Sequence, residues 1–211
     1  VNTYRVLVTG GAGFIGSHLV DHLIDKGYFV RIIDNLSSGS IDFIKKHLSN
    51  KNFEFVKGDL KDYNVVEKIV KDIDIVFHYA ANPEVRVSVT EPLVHFRENL
   101  VATFNLLEAA RKAGCVKMFV FASSSTVYGD AEQIPTPETH PIKPISVYGA
   151  SKAGCEALLS SYAHLYGFKG LSLRYANIVG PRLRHGVIYD FINKLRKTPE
   201  RLEILGDGTQ K

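Results

Sequence analysis

The 211-residue chain has only two cysteines, Cys115 and Cys155. Two thiols are too few for a disulfide framework and lack metal-ligand spacing, so the sequence reads as a protein of a reducing, cytoplasmic interior. No apolar run approaches the roughly 20 residues that span a bilayer, and the N-terminus leads directly into a strand pattern instead of a signal peptide. A soluble protein with no membrane partner is expected. Charge of one sign is also sparse. Lys and Arg number 26 against 22 Asp and Glu, a net charge of +4 with a pI near 8.9. That balance mildly favours an anionic ligand and excludes the dense basic patch of a nucleic-acid binder. Internal repeats and low-complexity segments are missing as well. The one turn-rich stretch, 133–145, holds Pro135, Pro137, Pro141 and Pro144 and reads as an ordered loop beside a site.

What is present is an apolar content of 45%, enough to bury one substantial core and part of a second lobe. Short apolar runs at 4–9, 29–34, 53–56, 73–78, 118–122 and 171–175 read as strands, several continuously apolar as in a sheet covered on both faces. Helical periodicity fills 14–26, 63–71, 93–112 and 147–166, the third segment closed by Gly114. Strand and helix in alternation predict an α/β fold with a doubly wound parallel sheet.

Three motifs carry chemistry. Gly10, Gly13 and Gly16 fall between the first strand and the first helix, where positive φ, close approach to phosphate and tight helix packing are each required. The helix N-terminus there suits a pyrophosphate. The second strand ends in Asp34, eighteen residues after Gly16, where a carboxylate accepts ribose hydroxyls and repels a 2′-phosphate. No Arg follows in 35–39, so NAD is expected over NADP. Asp59 and Leu60, after the third strand, have two readings: a wall for adenine, or a turn and helix cap. The second motif is 123–129 at the end of an apolar run. The third sets Tyr148 and Lys152 four residues apart on one helix face. A cation beside a phenol lowers its pKa from about 10 and makes it a plausible base near neutral pH.

Other residues have plainer readings. His18 and His22 stand at i and i+4, but no Glu of a hydrolytic zinc motif accompanies them, and no metal is expected. His78 is read as structural, and His185 as a loop residue that meets substrate or solvent. The basic residues at 182–201 either form a solvated helix face or let Arg182 or Arg184 meet a phosphate. The spacing of Phe96, Leu100, Phe104 and Leu107 is that of a core or interface.

Thr9 to Gly16, Asp34, Asp59-Leu60, His78 to Ala81, Asn99, Ser123 to Gly129, Tyr148 to Lys152 and Arg174 to Asn177 stand in the order and spacing of one family. The chain resembles, from end to end, the extended short-chain dehydrogenases/reductases, and among them the nucleotide-sugar epimerases of the UDP-glucose 4-epimerase type. The resemblance implies a Rossmann-type NAD-binding domain over 1–180, the start of an incomplete substrate lobe over 181–211, and a role in galactose metabolism. It implies Ser124, Tyr148 and Lys152 as catalytic residues. It assigns NAD to Gly10, Gly13, Phe14, Ile15, Gly16, Asp34, Asn35, Ser38, Gly39, Asp59, Leu60, Ala80, Ala81, Asn99, Ala122, Tyr148, Lys152 and Tyr175. Asn99 alternatively bridges two helices. Substrate, a UDP-hexose, falls to Ser124, Ser125, Thr126, Tyr148, Asn177 and Arg182, and a homodimer forms through the helices at 93–112 and 147–166.

Similar 4,6-dehydratases carry an Asp-Glu pair at positions 125 and 126, and similar decarboxylases a Glu at position 126. Ser125 and Thr126 cannot do that work, which leaves hydride chemistry without elimination. The alternatives are another nucleotide-sugar member of the family or a non-catalytic NAD-binding module. The family is longer at its C-terminus. The apolar stretch 202–205, followed by Gly206, Asp207 and Gly208, is expected to be a strand lacking its partner, so the 211-residue form is expected to bind NAD and epimerise little.

Overall fold

The computed structural model describes residues 4–204. Residues up to Ala176 form one compact unit, and residues 177–204 belong to a second. The first unit runs β1 (Arg5–Thr9), α1 (Phe14–Asp25), β2 (Phe29–Asp34), α2 (Ile41–Ile44), β3 (Phe53–Lys57), α3 (Tyr63–Ile69), β4 (Ile75–His78), α4 (Val87–Thr90), α5 (Pro92–His95), α6 (Ala102–Ala113), β5 (Met118–Ser124), α7 (Val147–Tyr166) and β6 (Lys169–Tyr175). A π-helical turn, Phe96–Val101, separates α5 from α6, where the sequence pattern predicts one unbroken helix. The second unit holds α8 (Val187–Lys197), on which Arg196 and Lys197 are exposed, as a solvated basic face requires. Residues 202–204 take no strand conformation, contrary to expectation, while Leu205 and the turn expected at 206–208 lie outside the described residues.

All six strands are parallel, in the order β3-β2-β1-β4-β5-β6. This is the doubly wound, Rossmann-type arrangement, and its order reverses between β1 and β4, which opens a crevice at their C-terminal ends. Both faces of the sheet are covered. Along β1, Val6 and Val8 point to a core shared with Val20 and Leu23 of α1, while Leu7 points to the opposite core with Val66, Leu106 and Leu159 of α3, α6 and α7. Period-2 alternation between two apolar cores is what makes such a strand read as continuously hydrophobic.

Helix ends are set by local chemistry. Asp62 accepts the Asn64 amide ahead of α3, and Ser146 accepts the Gly149 amide ahead of α7. Gly114 and Gly167 close α6 and α7 in the left-handed region, at φ 66° and 77°.

A buried polar chain ties the sheet to α6. Thr103 Oγ1 donates to Asn99 O at 2.6 Å and therefore accepts from His78 Nε2 at 2.9 Å. His78 Nδ1 must then accept from Thr9 Oγ1, 2.7 Å away, which in turn accepts the Ala80 amide. His78 is fixed as the neutral Nε2–H tautomer. Burial, aided by the Lys152 charge, holds its pKa at about 3.

Candidate active site

Gly10 leaves β1 with φ +65°, its amide bonded to Ile33 O at 2.8 Å. A Cβ there would meet Ala80 N at 2.8 Å, and one on Gly16 would meet Gly10 O at 2.2 Å. The loop therefore passes flat against the start of α1, and Gly13 serves as its N-cap with no side chain interposed. The first turn of α1 carries no acidic residue and no side-chain cap. Unsatisfied N–H groups at a helix start, unopposed by negative charge, suit an anion. Phe14, Ile15 and Gly16 supply that turn.

Asp34 ends β2 and is buried. Its carboxylate accepts the Ala12 amide at 3.0 Å and the Leu36 amide at 2.8 Å. Burial raises its pKa, against those two bonds. Gly39 lies so close that a Cβ would come within 2.9 Å of Asp34 Oδ1, and the Ser40 amide bonds Ala12 O at 2.9 Å, so the 35–38 loop folds back onto the glycine loop. Asn35 donates to Asp59 at 3.1 Å, Asp59 also accepts the Lys61 amide, and Leu60 is buried. The cap of α3 is Asp62, not Asp59. Ala80 and Ala81 follow β4, with Ala80 packed against Gly10 of the glycine loop. These features together could hold a dinucleotide.

The other group forms where β5, the short 3₁₀ turn Ser125–Tyr128 and α7 meet. Ser124 Oγ accepts from Thr126 N at 3.2 Å and from Thr126 Oγ1 at 2.9 Å, which leaves its own proton for the Tyr148 phenol. Ser125 is exposed on the turn. Lys152 is 3% exposed, and its ammonium donates to Ala122 O at 2.7 Å. Nζ lies 5.9 Å from the Tyr148 ring centroid. Burial pulls the Lys152 pKa down to about 8.

One expectation is corrected here. The chain alone does not lower the phenol's pKa: burial of Tyr148 raises it, and the opposing effect comes from Ser124, not Lys152. Lowering it takes further positive charge, because desolvation disfavours a phenolate.

Tyr148 is held at both ends of its residue. Its amide donates to Ser88 Oγ of α4 at 3.1 Å, and its carbonyl accepts from Ser151 Oγ at 2.7 Å. Its ring meets His95 edge-on at 5.5 Å. Asn99, in the π turn, donates to Ser151 Oγ at 2.9 Å and accepts the Asn82 amide at 2.8 Å. Of its two readings, the bridge between helices is the one these bonds describe. Tyr175, at the end of β6, shares a 2.8 Å hydroxyl bond with Tyr79. Asn177 and Arg182 belong to the second unit, Asn177 exposed and Arg182 with a φ of 71°.

Sequence reasoning does not reach Ser88, His95, Ser151 or Glu156. Only Ser151, inside the 148–152 motif, and Glu156, one turn beyond Lys152, give a local signal.

Residues 6–211 match the NAD dependent epimerase/dehydratase family. The chain belongs to that family. A crystal structure of a UDP-galactose 4-epimerase superposes at a TM-score of 0.85 with 62% identity, covering 94% of this chain and 64% of that one. The UDP-glucose 4-epimerase of Thermotoga maritima with UDP-glucose gives a TM-score of 0.88 at 41% identity, covering 97% of this chain and 66% of its own. The UDP-glucose 4-epimerase of Thermus thermophilus in complex with NAD gives 0.79 at 44%, covering 86% and 58%. The chain thus spans about two thirds or less of these epimerase/dehydratase family members.

Proposed function

We propose that the full-length protein epimerises C4 of a UDP-hexose, of the UDP-glucose/UDP-galactose pair, with NAD as a tightly held cofactor. The observation that carries this reading is the convergence of Ser124, Tyr148 and a buried, uncommonly acidic Lys152 beside the dinucleotide cradle. NAD, when bound, would supply a reversible hydride acceptor for C4, so that the hydride can come back to the opposite face of the 4-keto sugar.

The chain's own groups do the rest. Tyr148 removes the 4-hydroxyl proton and gives it back, and Ser124, whose oxygen is already supplied with two donors, turns the one proton it gives Tyr148 in the free chain to the reacting oxygen. A bound nicotinamide would add its positive charge to that of Lys152, which alone does not lower the pKa of the buried phenol. Lys152 also holds the nicotinamide ribose, near Ala122 and Tyr175. Asn177 and Arg182 hold the substrate diphosphate, and Ser125 and Thr126 line the sugar without an acid or base for elimination. Asp34 takes the adenosine ribose, with Asp59 and Leu60 walling the adenine.

Full-length protein supplied with UDP-glucose should yield UDP-galactose without added reductant, and absence of interconversion with any UDP-hexose would remove the proposal. NAD should bind at least about tenfold more tightly than NADP, roughly 1.4 kcal/mol. Asp34→Ala should narrow that gap in a parallel titration, whereas equal affinities in the parent chain would contradict the role of Asp34.

Leu93 and Phe96, Phe104 on α6, and Leu165 and Tyr166 on α7 are exposed apolar residues. They support a homodimer built from these helices. Sedimentation of the full-length protein should give twice the monomer mass, and a monomer at micromolar concentration would exclude it. Both cysteines are free thiols, which supports a reducing, cytoplasmic setting.

A further inference from the structure

Lys152 and Glu156 stand one helical turn apart on α7, and both are buried, at 3% and 9% exposure. A lysine and a carboxylate at i and i+4 are neighbours that ordinarily attract one another, the more strongly the less water reaches them. Here they are kept apart. Lys152 turns to Ala122 O at 2.7 Å. Glu156 is taken by Arg174 of β6, whose Nε donates to Oε1 at 3.0 Å and whose Nη2 donates to Oε2 at 2.8 Å. Ser123 Oγ donates to Oε1 as well. Arg174 is itself fixed, because Nη1 donates to Tyr128 OH at 2.8 Å and to Glu138 O at 3.0 Å. Strand register sets this up by placing Arg174 directly beside Ser123.

We propose that Arg174 is a positioning residue: by occupying Glu156 with a two-pronged ion pair, it keeps the ammonium of Lys152 available to Tyr148. The inference rests on the roles proposed above for Tyr148 and Lys152. A buried carboxylate deprived of its cation must take up a proton or find another positive charge. On its own helix the neighbouring cation is Lys152. An ion pair between the two would draw Nζ away from Ala122 O and from its place near the Tyr148 ring. The other titratable groups facing Lys152 cannot substitute for Glu156. His78 on β4 is neutral, and burial pushes the Cys155 thiol on α7 up, so neither carries a negative charge near neutral pH.

The test reads the charge of Lys152 directly. In chain labelled with ¹³C at lysine Cε, the Lys152 resonance is assigned by its loss in Lys152→Met and followed against pH. In the parent it should titrate near pH 8, where burial, opposed by Cys155, sets it. In Arg174→Met the midpoint should rise by about 1 to 3 units, as expected for a carboxylate gained within contact distance. In Arg174→Met/Glu156→Gln it should return to the parent value. A midpoint that does not move in Arg174→Met, or one that stays raised in the double variant, overturns the proposal. If Arg174→Met fails to fold, Arg174→Lys and its Glu156→Gln double carry the same comparison, with a smaller rise and the same return. In full-length protein, epimerisation should fall about tenfold or more in Arg174→Met and recover in the double variant. If instead Lys152→Met epimerises at the parent rate, the functional reading of Lys152 fails, while the titrations still decide what Arg174 does to its charge.

Discussion

Tyr148→Phe in the full-length protein should slow epimerisation by about 10² or more while leaving NAD binding at the parent affinity. The substitution removes one oxygen and keeps the ring. The edge-on contact with His95, at 5.5 Å, is a ring contact and survives it. So do the two main-chain bonds to Ser88 and Ser151, which do not involve the phenol. What is lost is the group that Ser124 faces and that Lys152 lies near. A loss of binding as large as the loss of rate would mean that Tyr148 holds the cofactor and does not move the proton. A Phe variant that interconverts UDP-glucose and UDP-galactose at the parent rate would exclude it as the acid/base group.

The second large effect is expected at Gly16. An alanine Cβ there would stand 2.2 Å from Gly10 O and 2.9 Å from Gly10 C, both main-chain atoms. No side-chain rotation relieves that overlap. Gly10 cannot give way either, since its φ is +65°, its amide is bonded to Ile33 O, and Ala80 stands on its far side. The glycine loop must therefore leave its place over the helix start, and NAD should bind about 100-fold more weakly or worse, roughly 2.7 kcal/mol. Gly27→Ala is the control. Gly27 also has a positive φ, 79°, but a Cβ there meets only open space. It should lower stability by about 1 kcal/mol through backbone strain alone, with unchanged NAD affinity. Isothermal titration of both variants separates the cases, and a Gly16→Ala chain that binds NAD like the parent would show that the loop is not the phosphate cradle.

Features that depend on neighbours in sequence are legible from the sequence. Gly10 and Gly16 announce the turn because the strand before them and the helix after them are equally clear, and the six strands follow from apolar runs of the right length. Features made by distant segments are not. The bond from the Tyr148 amide to Ser88 joins residues 60 apart and leaves no periodic trace. Arg174 stands in a recognisable motif, but its partner Glu156, on α7, meets it only when that helix packs on β5 and β6. The π turn escapes for a different reason. Phe96, Leu100, Phe104 and Leu107 fit an uninterrupted helix. An extra residue in one turn rotates everything that follows, and side-chain type alone does not register the shift. The pKa of Tyr148 departs from expectation because the sequence supplies the nearby cation and not the depth of burial.

The two serines that grip the Tyr148 peptide, one from α4 and one from its own helix, bear on how tolerant the reaction can be. If Tyr148 is the base proposed above, a main chain pinned from both sides restricts how far it can follow a sugar that presents first one face and then the other to it. In that reading most of the turning falls to the substrate. A pocket that leaves room for that swing cannot also grip the hexose tightly around its rim. On the proposed function, hexoses that differ in substituents remote from C4 should then compete for the same site with similar affinity.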